Sequence, residues 1–428
     1  MRRNALLLVI ALILGMFIIG VATLQSRLFI LIVPLIAYLF SAILQRPAQV
    51  SLSVDREIFP DHAPQGTPIH VRLTVTNQGA AIDELVLTEL LPNGVKPTLG
   101  KSSALIGLAP QEKFAMEYTV EAARGEYNYN VSACARDFLG FFEKAAVYPT
   151  APHLVIYPRY PKLERIKIRP PQTRGFAGPI AARQGGTGID FFGVREYQAG
   201  DQQRQINWKL AARSYNQLYT NVFEQERVAD IGLILDSRQH IDVYSPAGSL
   251  FEYSVGAAAA LAENFLDDGN RVSLLLYGSG LESVYPGYGK IQLDRILRLL
   301  AKARPGMNYA LESLAYMPTR FFPAKSQLIL ISPLEPEDIS VVIQMQARGY
   351  AVLLISPDPV AYETMLYKNI SSLAYRAAAA ERHFMLQKVR RSGIQVVNWQ
   401  VDKPLEAEVR QALISQPLTY RAIGTGLW

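Results

Sequence analysis

The chain has 428 residues, of which half are hydrophobic and 19% are charged, so it exceeds one ordinary domain and is not a disordered protein. Its net charge of +6 is modest for this length and does not favour binding to nucleic acid. The single cysteine, Cys134, excludes an internal disulfide, and the histidines show no spacing typical of a zinc site. We therefore expect no cofactor and no nucleic-acid partner.

Two apolar runs open the chain, at residues 5–24 and 28–44, and only three residues separate them. As helices they would rise roughly 30 and 26 Å, close to the hydrocarbon thickness of a bilayer. We therefore expect a transmembrane helical hairpin within residues 1–46. A cleaved signal peptide is the alternative, but the first run is long for one and a second span follows at once.

The arginines around this hairpin predict its orientation. Arg2 and Arg3 precede it and Arg46 follows it, whereas Arg27 alone lies in its turn. Basic residues favour the cytoplasmic side of a membrane. We expect a multi-pass protein of the cell membrane that contacts the lipid bilayer and holds its remaining domains in the cytoplasm.

Residues 47–150 show the pattern of an all-β domain. Residues 69–76 and 114–120 alternate apolar with polar side chains, as half-buried strands do. Turn sequences such as Asn77-Gln78-Gly79 separate short runs of this kind. Their spacing predicts an immunoglobulin-like sandwich.

A basic, proline-rich connector follows, and residues 151–227 comprise this connector and the motif described next. Its prolines oppose regular structure. Its basic side chains outnumber the acidic ones and include Arg159, Lys162, Arg165, Lys167, Arg169, Arg174 and Arg183. It is either a solvated linker or a contact for anionic headgroups or an acidic partner.

The most distinctive stretch runs from residue 188 to residue 213. Gly200 predicts a turn, and Asp201 predicts the N-cap of a helix that continues to about Arg213. On such a helix Arg204 and Trp208 lie four residues apart, which would allow a cation–π contact.

This stretch resembles the domain-of-unknown-function 58 (DUF58) family, whose hallmark has the order Arg-Glu-Tyr, Gly-Asp, Arg, Trp and Ala-x-Arg. The matching residues are Arg195, Glu196, Tyr197, Gly200, Asp201, Arg204, Trp208, Ala211, Ala212 and Arg213. The resemblance implies that residues 228–428 form a domain like the von Willebrand factor type A fold. It also implies a protein partner similar to the MoxR branch of AAA+ ATPases. In that family the motif has no established catalysis.

The residues after 228 independently predict an α/β domain. Apolar strands are predicted at residues 228–235, 272–277, 327–331, 351–355 and 394–397. Helices are predicted between and after them, at residues 253–265, 291–303, 337–347, 362–391 and 405–414. Continuous apolar strands alternating with helices indicate a parallel sheet covered on both faces.

The resemblance to type A domains raises the question of a divalent cation, which that fold holds with an Asp-x-Ser-x-Ser run, a threonine and a second aspartate. Here Asp236 is present, but Arg238 and His240 take the serine positions and Pro333 stands at the place of the second aspartate. A guanidinium would repel a cation, and most oxygen ligands are missing. We predict a degenerate site without metal.

Two kinds of function remain. A non-enzymatic interaction or scaffold protein would dock a protein partner through the loops at the carboxyl ends of the parallel strands. The loop residues expected to contact the partner are Asp236, Arg238, Glu335 and Asp358. We prefer this function, with a MoxR-like ATPase as the implied partner.

The alternative is a hydrolase-type enzyme with a site around Arg195, Glu196 and Asp201. No nucleophile paired with a base accompanies these residues in the sequence. Clustered carboxylates with raised pKa values would favour the enzyme, whereas a salt-bridged motif would favour the interaction protein. Metal-dependent adhesion outside the cell would require an intact ion site and the opposite topology.

Overall fold

A computed structural model describes residues 3–24, 26–44, 50–136, 143–150, 154–164, 166, 180–213, 217–245, 248–308, 313–367 and 372–414. The chain forms two compact units, Met1–Tyr157 and Pro158–Trp428. Several basic residues of the predicted connector lie outside the described residues: Arg165, Lys167, Arg169 and Arg174.

The N-terminal segment forms two helices, α1 (Arg3–Thr23) and α2 (Ser26–Leu44). Over the described residues, none of the helices has both the length and the apolar character that crossing a bilayer requires. The predicted transmembrane hairpin is therefore wrong. The membrane localisation and cytoplasmic placement that depended on it stay predictions.

The other described residues of the first unit form mainly antiparallel strands. Their bounds are β1 (Leu52–Phe59), β2 (His62–Pro64), β3 (Ile69–Asn77), β4 (Ile82–Glu89), β5 (Val95–Gly100), β6 (Ser103–Leu108), β7 (Lys113–Ala122), β8 (Gly125–Tyr127), β9 (Val131–Arg136), β10 (Glu143–Tyr148) and β11 (Leu154–Tyr157). Two four-stranded sheets have the orders β1-β3-β7-β5 and β10-β9-β4-β6, and β2, β11 and β8 form a third sheet, in which β2 and β11 are parallel.

Alternation along these strands creates the core of the unit. On β3, Val71, Leu73 and Val75 are buried while the residues between them face outward. Leu85 and Leu87 of β4, in the other large sheet, belong to the same apolar cluster. Burying each such side chain is worth roughly 1.5–3 kcal/mol, so this shared core is the main term that holds the two sheets together.

The second unit begins with a two-stranded antiparallel hairpin, β12 (Ile180–Glu196) and β13 (Tyr219–Arg227). The short helix α3 (Trp208–Ala211) lies in the segment that joins them. β12 begins inside the segment where prolines and basic residues had suggested a linker.

A six-stranded sheet forms the centre of the second unit. Its strands are β14 (Asp230–Asp236), β17 (Arg271–Tyr277), β18 (Leu281–Gly287), β19 (Gln327–Ile331), β20 (Ala351–Pro357) and β21 (Gln395–Trp399), in the order β18-β17-β14-β19-β20-β21. All neighbouring pairs are parallel except β17 and β18. A small hairpin, β15 (Tyr244–Ser245) and β16 (Gly248–Ser249), follows β14.

Helices connect the parallel strands. They are α4 (Leu250–Asp267), α5 (Gly289–Lys302), α6 (Ile339–Ala347), α7 (Pro359–Leu366), α8 (Ser372–Arg391) and α9 (Leu405–Ile414). Because the strands are parallel, their carboxyl ends meet at one edge of the sheet. That edge brings together residues that lie about a hundred positions apart in the sequence.

Candidate functional site

The carboxyl end of β14 holds a buried ion cluster. β14 ends on Asp236, and the next residues turn sharply against the end of β17. Gly278 permits this approach, because it adopts φ 128° and a Cβ there would lie 2.4 Å from the Arg238 backbone nitrogen. The turn directs the Arg238 side chain inward, where it is only 2% exposed.

The Arg238 guanidinium hydrogen-bonds two carboxylates, and a third, that of Glu335, lies 3.6 Å from its Nη1. Its Nη2 lies 2.7 Å from Asp236 Oδ2 and 2.7 Å from Asp338 Oδ2. Its Nε donates to Asp236 Oδ1 at 3.0 Å, and its Nη1 donates to Asp338 Oδ1 at 3.2 Å. Burial lowers the pKa of Arg238, but the hydrogen bonds and charges of Asp236 and Asp338 outweigh it and raise this pKa above its ordinary value. The arginine therefore stays charged and bidentate to both partners.

Both oxygens of the Asp236 carboxylate accept hydrogen bonds from groups of the protein itself. Besides the guanidinium, the carboxylate accepts hydrogen bonds from the Arg238 backbone N–H at 3.2 Å and from the Ser332 hydroxyl at 2.7 Å. A divalent cation needs several free oxygen ligands, and here a positive charge already lies between the two acids. The residues present do not fit the metal site of a type A domain.

Asp338 is the member of the cluster that the sequence analysis missed. It closes a capping box in the loop after β19, where its Oδ2 accepts the backbone N–H of Glu335 at 3.1 Å. The usual sequence signature of such a box is Ser or Thr followed three residues later by Glu or Gln, which Glu335 and Asp338 do not match. Nothing in the sequence pairs Asp338 with Arg238.

A second buried arginine holds the neighbouring strand ends. Arg382 of α8 donates to the carbonyl oxygens of Pro333 and Pro357, both at 3.0 Å, and to the Ser356 hydroxyl at 2.9 Å. Its Nε lies 3.3 Å from Asp358 Oδ1. Burial lowers the pKa of Arg382 to about 10, and the Asp358 charge opposes that shift. Arg382 was not predicted, because an arginine within a helix gives no sign of burial.

Three of the four residues expected to contact a partner are therefore not available to one. Arg238 is enclosed by acids, and Asp358 is buried, caps α7 through the Val360 and Ala361 amides, and faces Arg382. Asp236 is buried as well. Of the four, only Glu335 keeps an exposed side chain, 37% accessible, with His240 Nε2 3.1 Å from it.

Exposed side chains surround this buried cluster. Met307 is 70% exposed, and its neighbour Gly306 hydrogen-bonds the backbone of Ser237. Tyr316 is 72% exposed in a turn that begins at Ser313, whose carbonyl accepts the Tyr277 hydroxyl at the end of β17. We call five residues the strand-end rim: His240, Tyr244, Met307, Tyr316 and Glu335.

The motif stretch forms the tip of the β12–β13 hairpin, residues 197–213. The predicted helix from Asp201 to Arg213 is wrong, because only α3 and a single 3-10 turn at residues 203–205 are helical. The cap of α3 is Asn207, whose Oδ1 accepts the Leu210 N–H at 3.0 Å. Asp201 instead ties the chain reversal at Gly200, which adopts φ 111°.

Asp201 accepts three hydrogen bonds. Arg195 Nη2 donates at 2.6 Å, the Gln198 backbone N–H at 3.0 Å and the Thr220 hydroxyl at 3.1 Å. The Arg195 side chain also donates to the Glu196 carbonyl, and the Tyr197 amide continues the ladder to β13. The Arg195 hydrogen bond, together with that from Gln198, lowers the pKa of Asp201 to about 2.

This geometry does not resemble an acid–base site. A carboxylate with a pKa of about 2 stays ionised at neutral pH and cannot deliver a proton there. Glu196 is exposed on β12, and its backbone carbonyl is the group that Arg195 contacts. Arg195 and Asp201 therefore stabilise the conformation of the hairpin tip.

Several side chains of the stretch are exposed to solvent. Trp208 is 65% exposed, and Arg204, Lys209 and Arg213 are exposed as well. The expected contact of Arg204 with Trp208 is replaced by a hydrogen bond from Arg204 Nε to Gln202 Oε1 at 2.7 Å. The motif therefore contains two groups of residues. Arg195 and Asp201 stabilise the conformation of the tip, whereas Arg204, Trp208 and Arg213 are exposed on its surface.

We expect Asp201→Asn to loosen this tip. The variant loses the charged partner of Arg195, so the Gln198 and Leu210 amides should exchange hydrogen faster than in the wild type at pH 7. Because the pKa of Asp201 is depressed, its contribution is complete above an ordinary aspartate pKa and is lost as the pH falls through about 2. The difference between variant and wild type should therefore shrink toward that pH. Equal exchange rates at pH 7 would contradict the assignment.

Comparisons with known proteins match part of the chain. A family model described as "Protein of unknown function DUF58" matches residues 193–355. The uncharacterized protein YeaD of Bacillus subtilis (strain 168) is 28% identical over 241 residues, which are 54% of this chain and 58% of YeaD. The chain thus covers a little over half of this curated relative. The DUF58 resemblance is confirmed for the matched residues, and the type A resemblance stays a prediction.

Two solved structures illustrate weak likenesses to this chain. The CARDB domain of the PF1109 protein from Pyrococcus furiosus is 15% identical, with a TM-score of 0.17, over 25% of this chain and 93% of that domain. The GAE domain of GGA2p from Saccharomyces cerevisiae is 18% identical, with a TM-score of 0.18, over 24% of this chain and 92% of that domain. At these TM-scores neither likeness supports a statement about function.

Proposed function

We propose that the chain is a non-enzymatic interaction protein that docks a protein partner on the strand-end rim of its second unit. One observation carries the proposal: the Arg238 guanidinium is buried between Asp236 and Asp338 at the carboxyl end of β14. Open α/β sheets bind small ligands in the crevice at that edge. In this chain the side chains of Asp236, Arg238 and Asp338 fill that crevice. A partner would therefore contact the exposed residues around it.

The composition of the strand-end rim supports this function. Tyrosine and methionine are enriched where proteins bind each other, and Tyr244, Met307 and Tyr316 are all highly exposed. The pair of His240 and Glu335 adds a polar edge. The ion cluster beneath holds the loops in one arrangement, which reduces the ordering that binding would require.

The type A-like description of this unit belongs to the same proposal. A central β14, parallel neighbours on both sides and one antiparallel edge strand support it. The DUF58 resemblance makes an ATPase similar to the MoxR branch of the AAA+ class the first partner to test. The hydrolase alternative has less support, because Asp201 is tied to Arg195 and its pKa lies near 2.

Paired substitution on the rim tests the docking surface. We expect Met307→Ala with Tyr316→Ala to weaken binding of the MoxR-like ATPase from the same organism at least about tenfold, because truncating central aromatic contacts removes about 1.4 kcal/mol or more. Affinity would be measured by titration of the two purified proteins. Both side chains are exposed, so the fold should be unaffected.

The control is a matched pair of an exposed methionine and an exposed tyrosine at the end of α7, Met365→Ala with Tyr367→Ala. This pair should leave the affinity within about twofold of the wild type, a change of less than about 0.5 kcal/mol. Equal affinities for the rim variant and the control would rule out the rim as the docking surface. Absence of any binding by the wild type would rule out this partner.

A further inference from the structure

We infer that the hairpin tip is a second docking surface, which takes an acidic segment of a protein partner. The inference goes beyond the proposed function, because it concerns a different surface and names the chemistry of what binds there. It stands on three observations about the tip: an exposed tryptophan, a group of cations without acidic neighbours in sequence, and a rigid support beneath them.

The exposed tryptophan is the first observation. Trp208 leaves 65% of its surface accessible although it lies in a helical turn with a buried neighbour, Ile206, two residues earlier. A tryptophan side chain can bury roughly 150–250 Å² of surface. It is among the residues that contribute most to the binding free energy when a protein partner covers it. Its position on the tip gives a partner an apolar anchor.

The cations are the second observation. Residues 202–213 contain Arg204, Lys209 and Arg213 but no aspartate or glutamate. All three are exposed, and within the described ranges no carboxylate is recorded at ion-pair distance from them. Of the two carboxylates just before this stretch, Asp201 is paired with Arg195 and Glu196 is exposed, so residues 195–213 keep a formal net charge of +2, four basic against two acidic side chains. The presented face is therefore positive and complementary to carboxylates.

The rigid support is the third observation. Asp201 fixes the start of the tip through three hydrogen bonds, and Asn207 fixes α3 by capping it and by donating to Asn221 Oδ1 at 2.8 Å. The Asn207 backbone N–H donates to the Tyr219 carbonyl of β13 at 2.7 Å. A surface held this way loses little conformational freedom when a partner binds, which favours affinity.

An acidic protein segment fits better than the other anionic partners. An anionic lipid surface is typically bound by a long amphipathic helix with a wide apolar face, whereas α3 has four residues and one exposed aromatic ring. Nucleic acid is typically bound through about six or more phosphate contacts, and this face has three cations. Arginine and lysine beside an aromatic anchor suit a few carboxylates and one apolar side chain.

A peptide titration tests the inference. The probe is a short dye-labelled peptide of glutamate and aspartate with one central leucine, and its counterpart carries lysine at every acidic position. Fluorescence anisotropy with the full-length chain should show binding of the acidic peptide only. Its affinity should fall on the order of tenfold between about 50 and 300 mM salt, because the contact is mainly electrostatic.

Two variants locate the binding on the tip. Trp208→Ala should weaken the acidic peptide about tenfold or more. Neutralising the cations should do the same, in the variant Arg204→Gln, Lys209→Gln and Arg213→Gln. The matched control removes three exposed charges elsewhere in the unit, in the variant Lys290→Gln, Arg376→Gln and Arg391→Gln, and should change the affinity by less than about twofold.

The outcomes decide between the possible partners. No binding of the acidic peptide at low salt, or equal losses in the tip variant and the control, would overturn the inference. Binding of phosphatidylserine vesicles that depends on Trp208, without binding of the peptide, would also overturn it in favour of a membrane surface. The rim variant Met307→Ala with Tyr316→Ala should leave peptide binding unchanged, so failure of the rim proposal can be distinguished from failure of this one.

Discussion

Replacement of Arg238 by methionine is expected to lower the free energy of unfolding of the second unit by about 3–5 kcal/mol. The substitution keeps much of the side-chain volume but leaves Asp236 and Asp338, both 2% exposed, without their shared counter-charge. Two buried carboxylates that repel each other disfavour the folded state strongly. Hydrogen exchange of the β14 and β19 amides measures this free energy within the unit that contains the cluster.

A compensating variant separates the ion cluster from simple packing. Adding Asp236→Asn and Asp338→Asn to the methionine variant removes the uncompensated charges and should recover at least half of the lost stability. Arg238→Lys should fall between wild type and methionine, because an ammonium cannot form the bidentate contacts that the guanidinium makes to both acids. Unchanged amide protection in the methionine variant would show that the cluster contributes nothing to stability.

The strands of the second unit could be predicted because burial on both faces leaves a continuous apolar run. β14, β19 and β20 have nearly every residue buried, and the sequence shows each as an uninterrupted hydrophobic segment. β18 has no such run: its side chains are half-buried or exposed, and Pro286 and Gly287 end it. An antiparallel edge strand of this kind resembles a loop in sequence.

The helix predicted after Asp201 illustrates competition between local signals. Aspartate after glycine is a good N-cap, but its side chain can also close a turn onto nearby backbone and basic groups. In this chain the Asp201 carboxylate accepts hydrogen bonds from Arg195, six residues earlier, and from Thr220, nineteen residues later. Neither partner is visible from the helix pattern, so the cap was assigned to the wrong residue and Asn207 was missed.

The sequence showed which charged residues lie near Asp236 but not how they pair. The ligand deficit around Asp236 and the presence of Arg238 were both evident. The Arg238 side chain points inward because it pairs with Asp338, one hundred residues away. The buried Asp358 likewise pairs with Arg382. A sequence shows which charges exist; their pairing across a sheet edge requires the fold.

A buried ion pair also stabilises the β-rich unit. Arg56 of β1 lies against Glu89 at the end of β4, and both residues are less than 5% exposed. The guanidinium donates to the Tyr129 carbonyl at 2.7 Å and lies 4.0 Å from the centre of the Tyr129 ring. Burial raises the pKa of Glu89, while the Arg56 charge and hydrogen bond oppose that rise.

Arg56→Leu is therefore expected to destabilise the β-rich unit by about 3–5 kcal/mol at neutral pH, because it leaves Glu89 buried and unpaired. Without Arg56 the pKa of Glu89 should rise further. An acid whose folded pKa is raised favours folding below its ordinary pKa and loses that contribution as the pH rises through the folded value. The loss should accordingly be smaller at pH 5 than at pH 7.5, by up to about 1.4 kcal/mol per pH unit between the two pKa values.

Hydrogen exchange of the β1 and β4 amides at both pH values measures this loss of stability. Adding Glu89→Gln should remove the pH dependence and restore part of the stability, whereas an equal loss at both pH values would mean that Glu89 does not carry the effect.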